Sequence, residues 1–241
     1  MIERERELDT FIIRYIFHIL DSNKKTEYSI NIDRKTVVLQ PENDSKPAWA
    51  KLEDHQCENC PFNKKEQPLC PIAKNLADVT DCFKDEFSYA PVKVVVETEE
   101  RSYFRNASLQ EGLFSIFGII MATSGCPHLD FLKPMGRYHL PFSTVDETLF
   151  RSTASFLLGQ YIFNEKDTKD DKKRYGLKPL FAHYAEVSKV NRGIIARINS
   201  IANKDADKNA IVILENFAQI ISMEINSNLE SLEYLFVNHD T

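Results

Sequence analysis

Glycine is scarce in this chain, seven residues in 241, and no Gly-rich phosphate loop, nucleophile elbow or dinucleotide fingerprint occurs anywhere in it. So few glycines exclude long flexible linkers and repeats, and imply mostly regular structure. There is no excess of basic residues: 30 Lys and Arg stand against 36 Asp and Glu, a formal charge of -6, which argues against general nucleic-acid binding. No hydrophobic run is long enough to cross a bilayer; the most apolar stretch, Leu113 to Ala122, reads as a buried helix, so no membrane insertion is expected. The five cysteines are an odd number and no signal peptide opens the sequence, which together disfavour a disulfide framework and point to a reducing, cytoplasmic setting.

What is present centres on the cysteines. Cys57 and Cys60 are spaced as Cys-x-x-Cys, with Pro61 stiffening the turn, and Cys70 follows the polar segment Asn63 to Gln67. Thiolates at that spacing grip one ion while the backbone between them turns. A fourth ligand is then needed. Cys70 sits at an N-cap position with Pro71 in the first helical place, and Ile72, Leu76, Val79 and Phe83 recur at helical spacing, so Cys82 lies far along the same helix. At 1.5 Å per residue Cys82 is about 18 Å from Cys70. Thiolates on one zinc stand only about 4 Å apart, so Cys82 reads as a core thiol. Cys126, between Gly125 and Pro127 at a break between helical patterns, is the expected fourth ligand, with His55 next in line. The expected cofactor is zinc, with an iron–sulfur cluster as the alternative because Cys-Pro pairs recur at 60, 70 and 126.

A second constellation, His128, Arg137, His139, Glu147 and Arg151, admits two other chemistries. Two histidines and a carboxylate are the ligand set of many hydrolytic zinc sites, so a metalloenzyme using His128, His139 and Glu147 is the alternative to a binding or regulatory protein. The spacing matches no compact helical motif, however. Arg137 and Arg151 supply forks for an anionic ligand, which gives a ligand-sensing reading, and release of metal from an oxidised Cys-x-x-Cys pair gives a redox-sensing one.

Around these motifs the chain reads as α+β. Phe11, Ile13, Tyr15, Phe17 and Ile19 alternate as a strand, Tyr28, Ile30 and Ile32 return it, and Val37 to Leu39 reads as a short third strand. A second hairpin, Pro91 to Val96 and Ser102 to Arg105, is expected to join the first in one antiparallel sheet, with the metal loop between the two. Ser108 caps a central helix with Glu111 answering, and Ser143 with Asp146 is placed to open another that runs to about Phe163. The expected division is a metal-binding domain over 1–163, a charged linker over 164–176, and a helical hairpin over 177–241 that packs on the first domain or on a protein partner, including a second copy.

Overall fold

The structure, a computed structural model, describes residues 9–43, 45–166 and 175–236. Its fold is α+β, a four-stranded sheet with helices on one face. Strands β1 (Thr10–Ile19) and β2 (Lys24–Asp33) form the first hairpin, and β3 (Pro91–Glu97) and β4 (Ser102–Ser108) the second. They pair in the order β2-β1-β3-β4, antiparallel throughout. The alternation of β1 does what its pattern dictates: Phe11, Ile13, Tyr15, Phe17 and Ile19 are buried, while on the other face Arg14 pairs with Glu97 of β3. Val37 to Leu39 is not a third strand; Val37 is left-handed, and only Leu39 bridges Ile32.

The sheet delivers the chain directly into the central helix. Ser108 ends β4 and caps α2 (Leu109–Thr123), and the Glu111 carboxylate accepts the Ser108 backbone N–H at 2.8 Å. This helix is apolar nearly all round because it is covered nearly all round: Leu113, Ile116, Phe117 and Ile120 are fully buried. Gly112 is where it touches the sheet, since a Cβ there would stand 2.8 Å from Val94 Cγ2 and 2.9 Å from Phe17 Cε1.

Helix α1 (Pro71–Phe83) follows the cysteine loop, with Cys70 at its N-cap and Pro71 in its first turn. After α2 come a 3-10 segment, Pro127–Leu132, and the short α3 (Lys133–Arg137), which holds Pro134 in its first turn. Helix α4 (Val145–Lys166) extends slightly past the expected end, and its capping box is Thr144 with Glu147, one residue beyond the Ser143–Asp146 pair. Both pairs satisfy the same spacing rule, and it is Thr144 and Glu147 that exchange the two capping hydrogen bonds. Most of the charged linker, residues 167–174, lies outside the described residues. Helices α5 (Lys178–Asn199) and α6 (Ala206–Asn226) form the hairpin expected there, and α6 lies along α2, where Leu214 approaches Gly118 and Phe217 meets Phe114 at 5.3 Å. Among the described residues no single helix is long and apolar enough to cross a membrane.

Candidate metal centre

The cysteine loop is closed at its base before any ligand is considered. Lys51 bridges Leu69, Leu52 N–H donates to the Pro68 carbonyl at 2.9 Å, and Cys70 N–H to the Ala50 carbonyl at 2.8 Å. Inside this clamp Cys60 N–H donates to the Cys57 carbonyl at 3.0 Å, forming the turn that the Cys-x-x-Cys spacing requires.

One stripe of α5 holds the loop from the other side. Glu186, Val190, Gly193 and Arg197 are spaced four, three and four apart, which places them on a single helix face. Asn59 Nδ2 donates to the Glu186 carboxylate at 2.9 Å and to its carbonyl at 3.2 Å. Cys57 Sγ faces the Val190 carbonyl at 3.9 Å. Gly193 gives Cys57 its space: a Cβ there would stand 2.5 Å from Sγ. Arg197, the largest of the fully buried side chains, donates to the carbonyls of Trp49, Lys51 and Leu52 at 2.7 to 2.9 Å.

Cys126 joins from the end of α2. It is the N-cap of the Pro127–Leu132 segment, and His128 Nε2 donates to the Asn59 carbonyl at 2.7 Å, tying that segment to the cysteine loop. Four cysteines are thereby collected. Cys126 senses Cys70, Cys57 and Cys60 electrostatically, and Cys57 senses Cys70 and Cys60. Burial is the main cause of their perturbation, pushing the Cys57 thiol up to about 11 and the Cys126 thiol up to about 12, and raising Cys70 as well. Backbone N–H groups of Ile72 and Ala73 oppose this at Cys70, that of His128 opposes it at Cys126, and the Arg197 cation opposes it at Cys57 and Cys70. Cys82 stands apart, as expected of it; the charges that act on its thiol are Lys24, Asp78, Asp81 and Asp207.

The thiols converge without closing on a common point, because among the described residues no three His, Cys, Asp or Glu side chains stand together as a metal-binding group. The donor set nevertheless fits a metal ion on chemical grounds. Two of the sulfurs, Cys70 and Cys126, sit at helix starts, where backbone N–H groups offset part of the burial that raises their pKa values. Among the described residues, Arg197 is a buried cation with no carboxylate partner, and its Nε has no hydrogen-bond partner. An uncompensated buried cation is costly, and a tetrathiolate metal centre carries the negative charge that offsets it. His55 is placed differently. It is left-handed, half exposed, and bonded to Asp54 at 2.8 Å.

The second constellation is engaged piece by piece. His139 shares a 2.6 Å hydrogen bond with the buried Tyr15 hydroxyl, which also meets Ser115 Oγ at 2.8 Å. Burial, reinforced by Arg151, lowers His139 to about 3, so the imidazole is neutral. Glu147 caps its own helix at Thr144, and Arg151 donates to the carbonyls of Met135 and Tyr138 rather than to Glu147. Arg137 lies over the Phe11 ring at 4.6 Å.

A family model described as a domain of unknown function, DUF6901, matches residues 11–237. The chain belongs to that family. No curated protein and no solved structure matches it. The matched span takes in both hairpins, all four converging cysteines and Arg197.

Sequence reasoning named the cysteines but missed Arg197 and Gly193. Arg197 carried a signal, since it falls three residues after Ile194 and four before Ile201 on an otherwise apolar stripe. Gly193 carried none, because its role appears only when α5 and the cysteine loop are docked.

Proposed function

We propose that this protein is a metal-stabilised binding protein rather than an enzyme, with one zinc ion bound by Cys57, Cys60, Cys70 and Cys126. The observation that carries the reading is that these four residues, from the loop, the start of α1 and the end of α2, lie within electrostatic range of one another, with the buried Arg197 acting on Cys57 and Cys70. A metal bound there ties the cysteine loop to both helices, and its binding free energy contributes directly to folding. Four sulfur ligands leave no open coordination position for substrate, which favours a structural over a catalytic role. The raised thiol pKa values make the metal-free thiols poor nucleophiles, which weighs against redox sensing. Urea unfolding of the full chain with and without a strong chelator tests this. Chelation is expected to lower the midpoint, and Cys57→Ser or Cys126→Ser to lower it similarly and remove the chelator effect. An unchanged midpoint sinks the reading.

Association with a second copy is a second reading, and the surface that favours it is α4 rather than the C-terminal hairpin. Of the 22 residues of α4 only Leu149, Ser152 and Thr153 are buried. Leu158, Tyr161, Ile162 and Phe163 are 43 to 72% exposed. A helix of this length gains most of its stability from packing, so such a face favours a cover. Light scattering at micromolar concentration decides it: a monomer rules self-association out, while a dimer abolished by Phe163→Glu supports it.

A further inference from the structure

Two cavities share the wall formed by His139, Leu140 and Arg151, and they differ in character. The inner one, about 140 Å³, is a partly open apolar pocket between α2, α3, α4, α5 and α6, with walls such as Phe114, Ile119, Leu132, Leu214 and Phe217. The outer one, about 290 Å³, lies between β1, the β3–β4 turn and α3, and is lined by Arg101, Arg137 and Tyr138 among others. His139, Leu140 and Arg151 line both.

Most polar groups on the inner wall are satisfied within the protein: Tyr184 shares a hydrogen bond with Ser152 at 2.7 Å, Asn191 donates to Glu215 at 3.0 Å, and Ser115 meets Tyr15. The arginines are the exception. Arg151 uses only Nη2, for two backbone carbonyls, so three of its five N–H groups have no protein acceptor among the described residues, although the Glu147 carboxylate acts on its charge without a hydrogen bond. Arg137 has no hydrogen bond or ion pair among the described residues and is held by stacking on Phe11 and Tyr138. Carboxylates do belong to this region: Glu99 and Glu100 line the outer cavity, and Glu147 acts on Arg151. Glu99 is paired with Arg34, and the Glu100 carboxylate is beside Thr98.

We infer that this pair of cavities binds a small anionic amphiphile, an apolar group about the size of a phenyl ring in the inner chamber and a carboxylate held by Arg151 and Arg137 in the outer one. The size follows from the volume, since an apolar cavity of about 150 Å³ accommodates benzene. The charge follows from the Arg137 guanidinium, which has no ion pair among the described residues, and from the Nε and Nη1 donors that Arg151 leaves unused, since a planar guanidinium matches a carboxylate bidentately. The inference is independent of the metal centre, which lies on the α5 face that meets the cysteine loop.

Isothermal titration of the full chain with 4-phenylbutyrate tests it, with 4-phenylbutanol and inorganic phosphate as comparisons. Saturable binding of 4-phenylbutyrate below millimolar is expected, at least tenfold tighter than either comparison. Arg137→Met is expected to weaken it about tenfold. Gly118→Leu, whose side chain starts 3.5 Å from Leu214 and extends into the chamber, is expected to abolish it while leaving the urea midpoint unchanged or raised. Arg151→Met also frees the carbonyls of Met135 and Tyr138, so Arg137→Met is the variant that reads the anion contact alone. No saturable binding to the folded wild-type chain, equal binding of the alcohol, or equal binding of phosphate overturns the inference.

Discussion

Replacing Gly193 by alanine sets two effects of opposite sign against each other. Gly193 lies inside α5, where alanine ordinarily stabilises a helix by about 0.5–1 kcal/mol. Its new Cβ, however, would stand 2.5 Å from Cys57 Sγ, against 3.4 Å from Cys57 Cβ and 3.5 Å from Cα, so the sulfur alone is in the way. A sulfur is the free end of a short side chain and escapes by changing rotamer, at little cost if Cys57 is only a core thiol. A sulfur bound to a metal has no such freedom, because leaving its rotamer means leaving the ion. The account therefore predicts that Gly193→Ala raises the urea midpoint of the chelator-treated protein and lowers that of the metal-loaded protein. It also predicts metal affinity at least tenfold weaker, about 1.4 kcal/mol or more, in a competition titration against a chromogenic chelator. The same stabilisation in both states, with unchanged metal affinity, would refute the assignment of Cys57 as a ligand.

Three other perturbations follow from the same geometry. Arg197→Met leaves the carbonyls of Trp49, Lys51 and Leu52 without their donor, and a loss of about 3–5 kcal/mol is expected in urea unfolding; a loss below about 1 kcal/mol would mean that the guanidinium is dispensable. Gly112→Ala pushes a Cβ against Val94 and Phe17, both fully buried, so overpacking of about 1–3 kcal/mol outweighs the helix gain and the thermal midpoint falls. Asp207 is buried with neither carboxylate oxygen hydrogen-bonded, and burial raises its pKa from 3.8 to about 8. The folded state thus holds a proton that the unfolded chain has released; stability from this group is complete below about pH 4 and is lost as pH rises through 8. Asp207→Asn is expected to flatten the fall in melting temperature between pH 6 and pH 8, and an identical pH profile would contradict this.

Much of the architecture was legible because local pattern and tertiary environment agree. The period-2 run from Phe11 to Ile19, the apolar helix after Ser108 and most of the α5 stripe bury the face that their spacing marks, whereas α6 buries Ala210, Ile211, Ala218 and Ile221 and leaves Ile220 exposed. Boundaries slipped where two local signals competed, as at the start of α4, where Thr144 with Glu147 replaced Ser143 with Asp146. The cysteines were legible from their turn and cap positions. Arg197 and Gly193 were less so, because what each does depends on residues more than a hundred positions away in sequence. The arginines of the second constellation were visible as charges. That they line one cavity with donors unused is a property of the packing, which brings α3, α4 and β1 to one place.

The most direct test of the metal centre is elemental analysis by mass spectrometry of the full chain, purified from cells without added metal or chelating resin and normalised to protein by amino-acid analysis. The account predicts one zinc per chain, falling to near zero in the Cys57→Ser, Cys60→Ser double variant. Iron in stoichiometric amount with visible absorption would keep the four cysteines and change the cofactor. A fully folded protein with no bound metal would contradict the central claim.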